Sequence, residues 1–76
     1  MTIVPSLSYK IIVSALERAG FAVVRQTGSH IQMIRRPPHG ERLSITVPAY
    51  KPIPRHLLAK IIKQAGLTLE EFRNLL

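Results

Sequence analysis

From Arg42 to Val47 the chain alternates without a break, with Leu43, Ile45 and Val47 set against Arg42, Ser44 and Thr46. Strand side chains point to opposite faces with a period of two, so this is a half-buried strand with one polar face. The fold built around it needs a sheet that is packed on one side and wet on the other.

Two more strands precede it. Phe21 to Gln26 is rich in β-branched and aromatic residues, and in His30 to Arg36 the residues Ile31 and Met33 alternate with His30 and Gln32. With Ile31 and Met33 toward the core, His30, Gln32, Ile34 and Arg36 fall on the opposite face. Thr27-Gly28-Ser29 is turn chemistry, and Pro37-Pro38-His39-Gly40-Glu41 is a breaker-rich hairpin loop.

Helical period brackets the strands. Ile11, Ile12, Ala15, Leu16 and Ala19 form one apolar stripe, opened by Pro5 with Ser6 or Ser8 as N-cap and closed by Gly20. After the Pro48 to Pro54 loop, with Pro54 as the expected first helical residue, Leu57, Leu58, Ile61, Ile62 and Ala65 form a second stripe closed by Gly66. Arg55, His56, Lys60, Lys63 and Gln64 make the polar side of that helix. Thr68-Leu69-Glu70-Glu71 matches a capping box, with Leu67 and Phe72 placed for a hydrophobic staple. The predicted order is helix, three strands, helix, short helix. This is an α+β fold, a three-stranded antiparallel meander with both main helices on one face. The other face is polar and carries His30, Gln32, Ser44 and Thr46. An α-β-β-β-α order is also that of double-stranded RNA-binding domains.

Residues 1–76 suffice for a single domain, and one so small buries only about 60% of its unfolded surface. Chemistry is therefore expected on an open face, with the substrate supplying part of the geometry. Eleven Lys and Arg stand against four Glu and no Asp, a net charge of +7. That excess favours a polyanionic partner: nucleic acid, an anionic membrane surface or an acidic protein. Cysteine is absent, which excludes disulfides and thiolate chemistry. Three histidines at positions 30, 39 and 56 do not form a recognisable metal site, so no metal or other cofactor is expected. Met1-Thr2-Ile3-Val4-Pro5 does not read as a signal peptide, and no apolar run approaches a membrane span. A cytoplasmic protein with no membrane partner is the expectation.

Gly28-Ser29-His30 is the candidate site. It sets an imidazole at the start of an exposed strand, and histidine is the side chain whose ordinary titration falls near neutrality. Gly28 has two roles open to it: positive φ for the turn, or room for a phosphate to approach. His39 is placed at a solvated loop tip and His56 on the polar side of a helix start. Arg35, Arg36 and Arg42 flank the hairpin, while Lys51, Arg55, Lys60 and Lys63 lie on the second helix and its approach. No acidic residue occurs between Arg42 and Glu70, so intrahelical pairing cannot account for those lysines. Phosphate contact can, and it would make RNA binding steeply salt-dependent. Among the aromatic residues Phe21 and Phe72 read as core, leaving Tyr50 as a loop platform for a base.

Four blocks in order resemble the HicA family of toxins from bacterial and archaeal toxin–antitoxin pairs. They are Leu16-Glu17-Arg18-Ala19-Gly20-Phe21, Arg25-Gln26-Thr27-Gly28-Ser29-His30, Ile45-Thr46-Val47-Pro48 and Ile61-Ile62-Lys63-Gln64-Ala65-Gly66-Leu67. The resemblance runs from about residue 7 to the end. It implies a double-stranded RNA-binding-domain-like fold, cleavage of mRNA and silencing by a HicB-type antitoxin. It also implies that the catalytic histidine is His30. Two positions depart from the family's common pattern. Tyr50 stands where many members carry a histidine after the Val-Pro, and Arg55-His56 stands where many have Gly-Thr.

For metal-free RNA cleavage through the ribose 2′-hydroxyl, His30 is the expected general acid or base. Arg25, Arg36, Lys51, Arg55 and Lys60, with Gly28 and Ser29 of the turn, are the expected RNA contacts. A non-catalytic module that holds structured RNA, and a protein-interaction domain for an acidic partner, share the same charge. Only the Gly-Ser-His separates the nuclease from them, because binding alone needs no titratable group at a strand start.

Overall fold

The computed structural model describes residues 7–76, so Pro5 and Ser6, expected to open the first helix, lie outside the described residues. Helix α1 spans Tyr9–Arg18, strands β1, β2 and β3 span Ala22–Thr27, His30–Arg35 and Leu43–Pro48, and helices α2 and α3 span Arg55–Gln64 and Leu69–Arg73. This is the predicted order, an α+β fold with the arrangement of a double-stranded RNA-binding domain.

Local chemistry sets most boundaries. Ser8 caps α1, its hydroxyl accepting from the Lys10 amide at 3.2 Å. At the other end Gly20 N–H donates to the Glu17 carbonyl and Phe21 N–H to that of Leu16, the paired bonds of a Schellman motif. Phe21 is thereby committed to closing the helix, and β1 begins one residue later than its composition suggests. Strand β2 stops at Arg35, where Pro37 and Pro38 withdraw the next backbone donors. Pro54 is the N-cap of α2 and not its first helical residue. Its φ of −58° suits a helix, but its ψ of 147° keeps it extended while its carbonyl accepts from Leu57 and Leu58. The capping box of α3 is complete, with Glu71 N–H to Thr68 Oγ1 at 3.0 Å and Thr68 N–H to Glu71 Oε1 at 2.8 Å.

The sheet is antiparallel in the order β1-β2-β3. Ile31 opposes Val47 and Met33 opposes Ile45, and all four are buried against the helices. Ile12, Ala15 and Leu16 of α1 and Leu58, Ile61 and Ile62 of α2 meet them, joined by Phe21, Ile53, Ala65 and Phe72 in one core. The shortest dimension is 17 Å, which fits one helical layer on one sheet and leaves the second face bare. Strand β1 reaches past this core. All six of its residues are exposed, and a bulge between Val23 and Arg25 offsets its pairing with β2. Among the described residues no helix is long and apolar enough to cross a membrane.

Candidate active site

The bare face of the sheet is assembled from the turn outward. Gly28 and Ser29 form a two-residue hairpin loop with positive φ at Gly28 (57°) and not at Ser29, the φ pattern of a II′ turn. A Cβ added at Gly28 would meet nothing within 4 Å, so the backbone angle and not crowding by the protein calls for glycine. The turn fixes the register that follows, with Thr27 opposite His30 and Arg25 opposite Gln32. On the other side of β2, His30 opposes Pro48 and Gln32 opposes Thr46. Residues paired directly across a sheet share a face, so Arg25, Gln32 and Thr46 form one row and Thr27, His30 and Pro48 the next. This is the polar face expected from the alternation, with Gln32 Nε2 reaching Ser44 Oγ at 3.5 Å.

His30 is exposed and borders two hollows. One, of about 240 Å³, lies on the sheet among Arg25, Thr27, Gln32 and Thr46. The other, of about 280 Å³, lies between the end of β3 and α2, with Pro48, Tyr50, Lys60 and Gln64 among its walls. His30 and Thr46 line both. Helical spacing explains the α2 wall, since Leu57, Lys60, Ile61 and Gln64 recur every three or four residues and share one face. Backbone bonds hold the opposite wall. Ala49 N–H donates to Ser29 O at 2.6 Å, Tyr50 N–H to Pro48 O at 2.8 Å and Tyr9 N–H to Tyr50 O at 3.1 Å. A bridge between Leu7 and Ile53 ties the same loop to the start of α1.

Residues 9–67 match the family model described as the HicA toxin of bacterial toxin–antitoxin systems. The chain belongs to the HicA toxin family. It is therefore the toxin of a toxin–antitoxin system, and an antitoxin is its partner. The match begins with the first residue of α1 and ends just after the Gly66 that closes α2, so it includes every wall of both hollows. A search among curated proteins gave no significant match.

The toxin brings only some of the expected site residues together. Arg25 and Lys60 border hollows with His30, and Gly28 and Ser29 form the turn that aims it. Lys51 and Arg55 line neither hollow. Lys51 Nζ lies 5.7 Å from the centre of the Tyr9 ring, within cation–π range, and Arg55 is the first residue of α2. Arg36 follows the far end of β2, roughly 20 Å from His30 at about 3.3 Å per strand residue. His39 and His56 are exposed and border neither hollow. Among the described residues no three His, Cys, Asp or Glu side chains gather as metal ligands would. Sequence reasoning missed Thr27, Leu57 and Gln64 as site residues. The spacing of Leu57, Lys60, Ile61 and Gln64 was a usable signal for the last two, but only once α2 was known to face His30.

Proposed function

We propose that this toxin is a metal-independent endoribonuclease that cleaves mRNA, with His30 as general acid or base. One observation carries the reading: an exposed imidazole stands where two hollows meet, and each hollow adds one cation, Arg25 or Lys60. In the reaction the ribose 2′-oxygen bonds to phosphorus and the bond from phosphorus to the 5′-oxygen breaks. One proton leaves the 2′-hydroxyl and one reaches the departing 5′-oxygen, giving a 2′,3′-cyclic phosphate and a 5′-hydroxyl. His30 carries one of these protons, and Arg25 and Lys60 offset the charge that grows on the non-bridging oxygens. Lys51, Arg55 and Arg36 hold phosphates further along the strand, and the bare backbone at Gly28-Ser29 lets the RNA approach His30 closely.

The antitoxin in this reading is of the HicB type and silences the toxin by covering His30 and the basic face. Incubating wild-type protein and His30→Ala with a defined RNA in EDTA tests the nuclease reading. Wild type is expected to leave cyclic-phosphate ends, and His30→Ala is expected to bind RNA without cutting it. Equal cutting by both proteins would remove His30 from the mechanism. RNA bound but uncut by wild type would make the protein a binding module.

A further inference from the structure

We infer that the hollow between β3 and α2 is a nucleobase subsite, seating one unstacked base of the RNA beside the scissile phosphate. The inference rests on the nuclease reading and adds to it which part of the substrate occupies which hollow. The two hollows share His30 and Thr46 but differ in their other walls. The sheet hollow adds only Arg25, Thr27 and Gln32, all polar, which suits phosphate and ribose. The α2 hollow adds Pro48, Leu57 and Ile61 as apolar surface and the Tyr50 ring, which is 44% exposed. Phosphate gains nothing from such walls. A base does, because its faces are apolar and stack on aromatic rings.

The polar groups of this hollow fit the edge of a base. The Gln64 amide offers both donors and an acceptor and the Thr46 hydroxyl offers one of each, and neither carries charge. Neither side chain is engaged by another of the described residues: the Gln32 amide, not Thr46, takes the Ser44 hydroxyl, and no side-chain bond is formed by Gln64. Lys60 shares the hollow and can hold the phosphate attached to the seated nucleotide. The hollow is also prepared in advance. Its loop wall is fixed by the backbone bonds of Ala49 and Tyr50, and its helical wall rests on the buried Leu58, Ile61 and Ile62. A base therefore enters a formed recess in which its own backbone passes His30.

The test uses an RNA oligonucleotide that is 2′-O-methylated everywhere except at one ribose where wild type cuts. Three versions are compared: intact, abasic on the 5′ side of that bond, and abasic on its 3′ side. Wild type is expected to lose about tenfold or more in kcat/KM with one abasic version, the range for loss of a stacked base. In Tyr50→Ala/Gln64→Ala that loss should shrink to less than about twofold, as a shared interaction requires. Tyr50→Phe, which keeps the ring, should restore most of it. Equal rates on all three versions with wild type would overturn the subsite, as would a tenfold abasic penalty that persists in the double variant. Failure of wild type to cut even unmodified RNA would instead defeat the nuclease reading on which the subsite depends. Both truncated side chains are exposed, so neither change removes core packing.

Discussion

Cations occupy both ends of the sheet. At one end Arg25 and Lys60 accompany His30; at the other Arg35, Arg36 and Arg42 flank the hairpin loop that carries His39. The first end is walled on several sides, by the end of β1, the start of β2, the close of β3, the loop to α2 and α2 itself. Of the other end, Arg36, His39 and Arg42 are exposed on or beside the loop, and Arg35 leans on the helix-closing Gly20, where an added Cβ would come within 3.2 Å of Arg35 Nε. The two ends hold the same residue types, and the difference lies in convergence. An imidazole and a cation on separate elements can meet one phosphate only where those elements come together.

The largest expected effect separates the two histidines. His30→Ala should reduce single-turnover cleavage by about 10²–10⁴-fold, the range for one proton-transfer group, and leave RNA affinity nearly unchanged. His39→Ala should stay within about twofold of wild type, as an exposed loop substitution does. Comparable losses from both would end the distinction between the two sheet ends. Next come the cations. Arg25→Ala and Lys60→Ala should each lower the cleavage rate at saturating RNA about tenfold, less than for an enclosed oxyanion hole because both side chains stand in water. Arg42→Ala should leave that rate within about twofold.

The turn glycines give a smaller effect. Gly28 and Gly40 both hold positive φ, 57° and 107°. An alanine held at a positive φ of this kind costs about 1–3 kcal/mol, and about 1 kcal/mol lowers Tm by roughly 4–8 °C in a domain of this size. Thermal unfolding followed by circular dichroism should register both substitutions. Cleavage below the transition should fall severalfold only for Gly28→Ala, because that turn sets the register of Arg25 and His30. Equal activity in both variants would mean that the turn does not aim the site.

Much of this fold was legible because its determinants are local. The alternation at Leu43, Ile45 and Val47, the capping box at Thr68 and Glu71, and the helix-closing Gly20 and Gly66 each depend on residues a few positions apart. His30 stood out for the same reason, beside a turn glycine at the head of an alternating strand. The α2 hollow was less legible, since it joins Thr46, Tyr50 and Gln64 from three elements whose meeting depends on how α2 packs. Tyr50 reads as a loop aromatic, but nothing local places it in the wall of a hollow shared with His30. Strand β1 gave no warning of its exposure either. Val23 and Val24 are β-branched and suit a strand, yet they stand 43% and 51% exposed. Propensity reports a fit to strand geometry and says nothing of what lies above it.

The smallest expected effect tests how far the RNA extends. Removing one phosphate-binding cation from a single-stranded complex should lower the slope of log affinity against log salt by about 0.7, because one fewer counterion is released on binding. That slope reports how many phosphates are neutralised, without regard to where they lie. Arg36→Ala and Lys60→Ala should therefore flatten it by the same amount, although only Lys60→Ala slows cutting. Titrations at several salt concentrations, each protein carrying His30→Ala so that the RNA survives, would measure it. An unchanged slope for Arg36→Ala would confine the RNA to the His30 end. The arginines of the hairpin would then lie outside the RNA footprint, and the two ends would differ in occupancy as well as in shape.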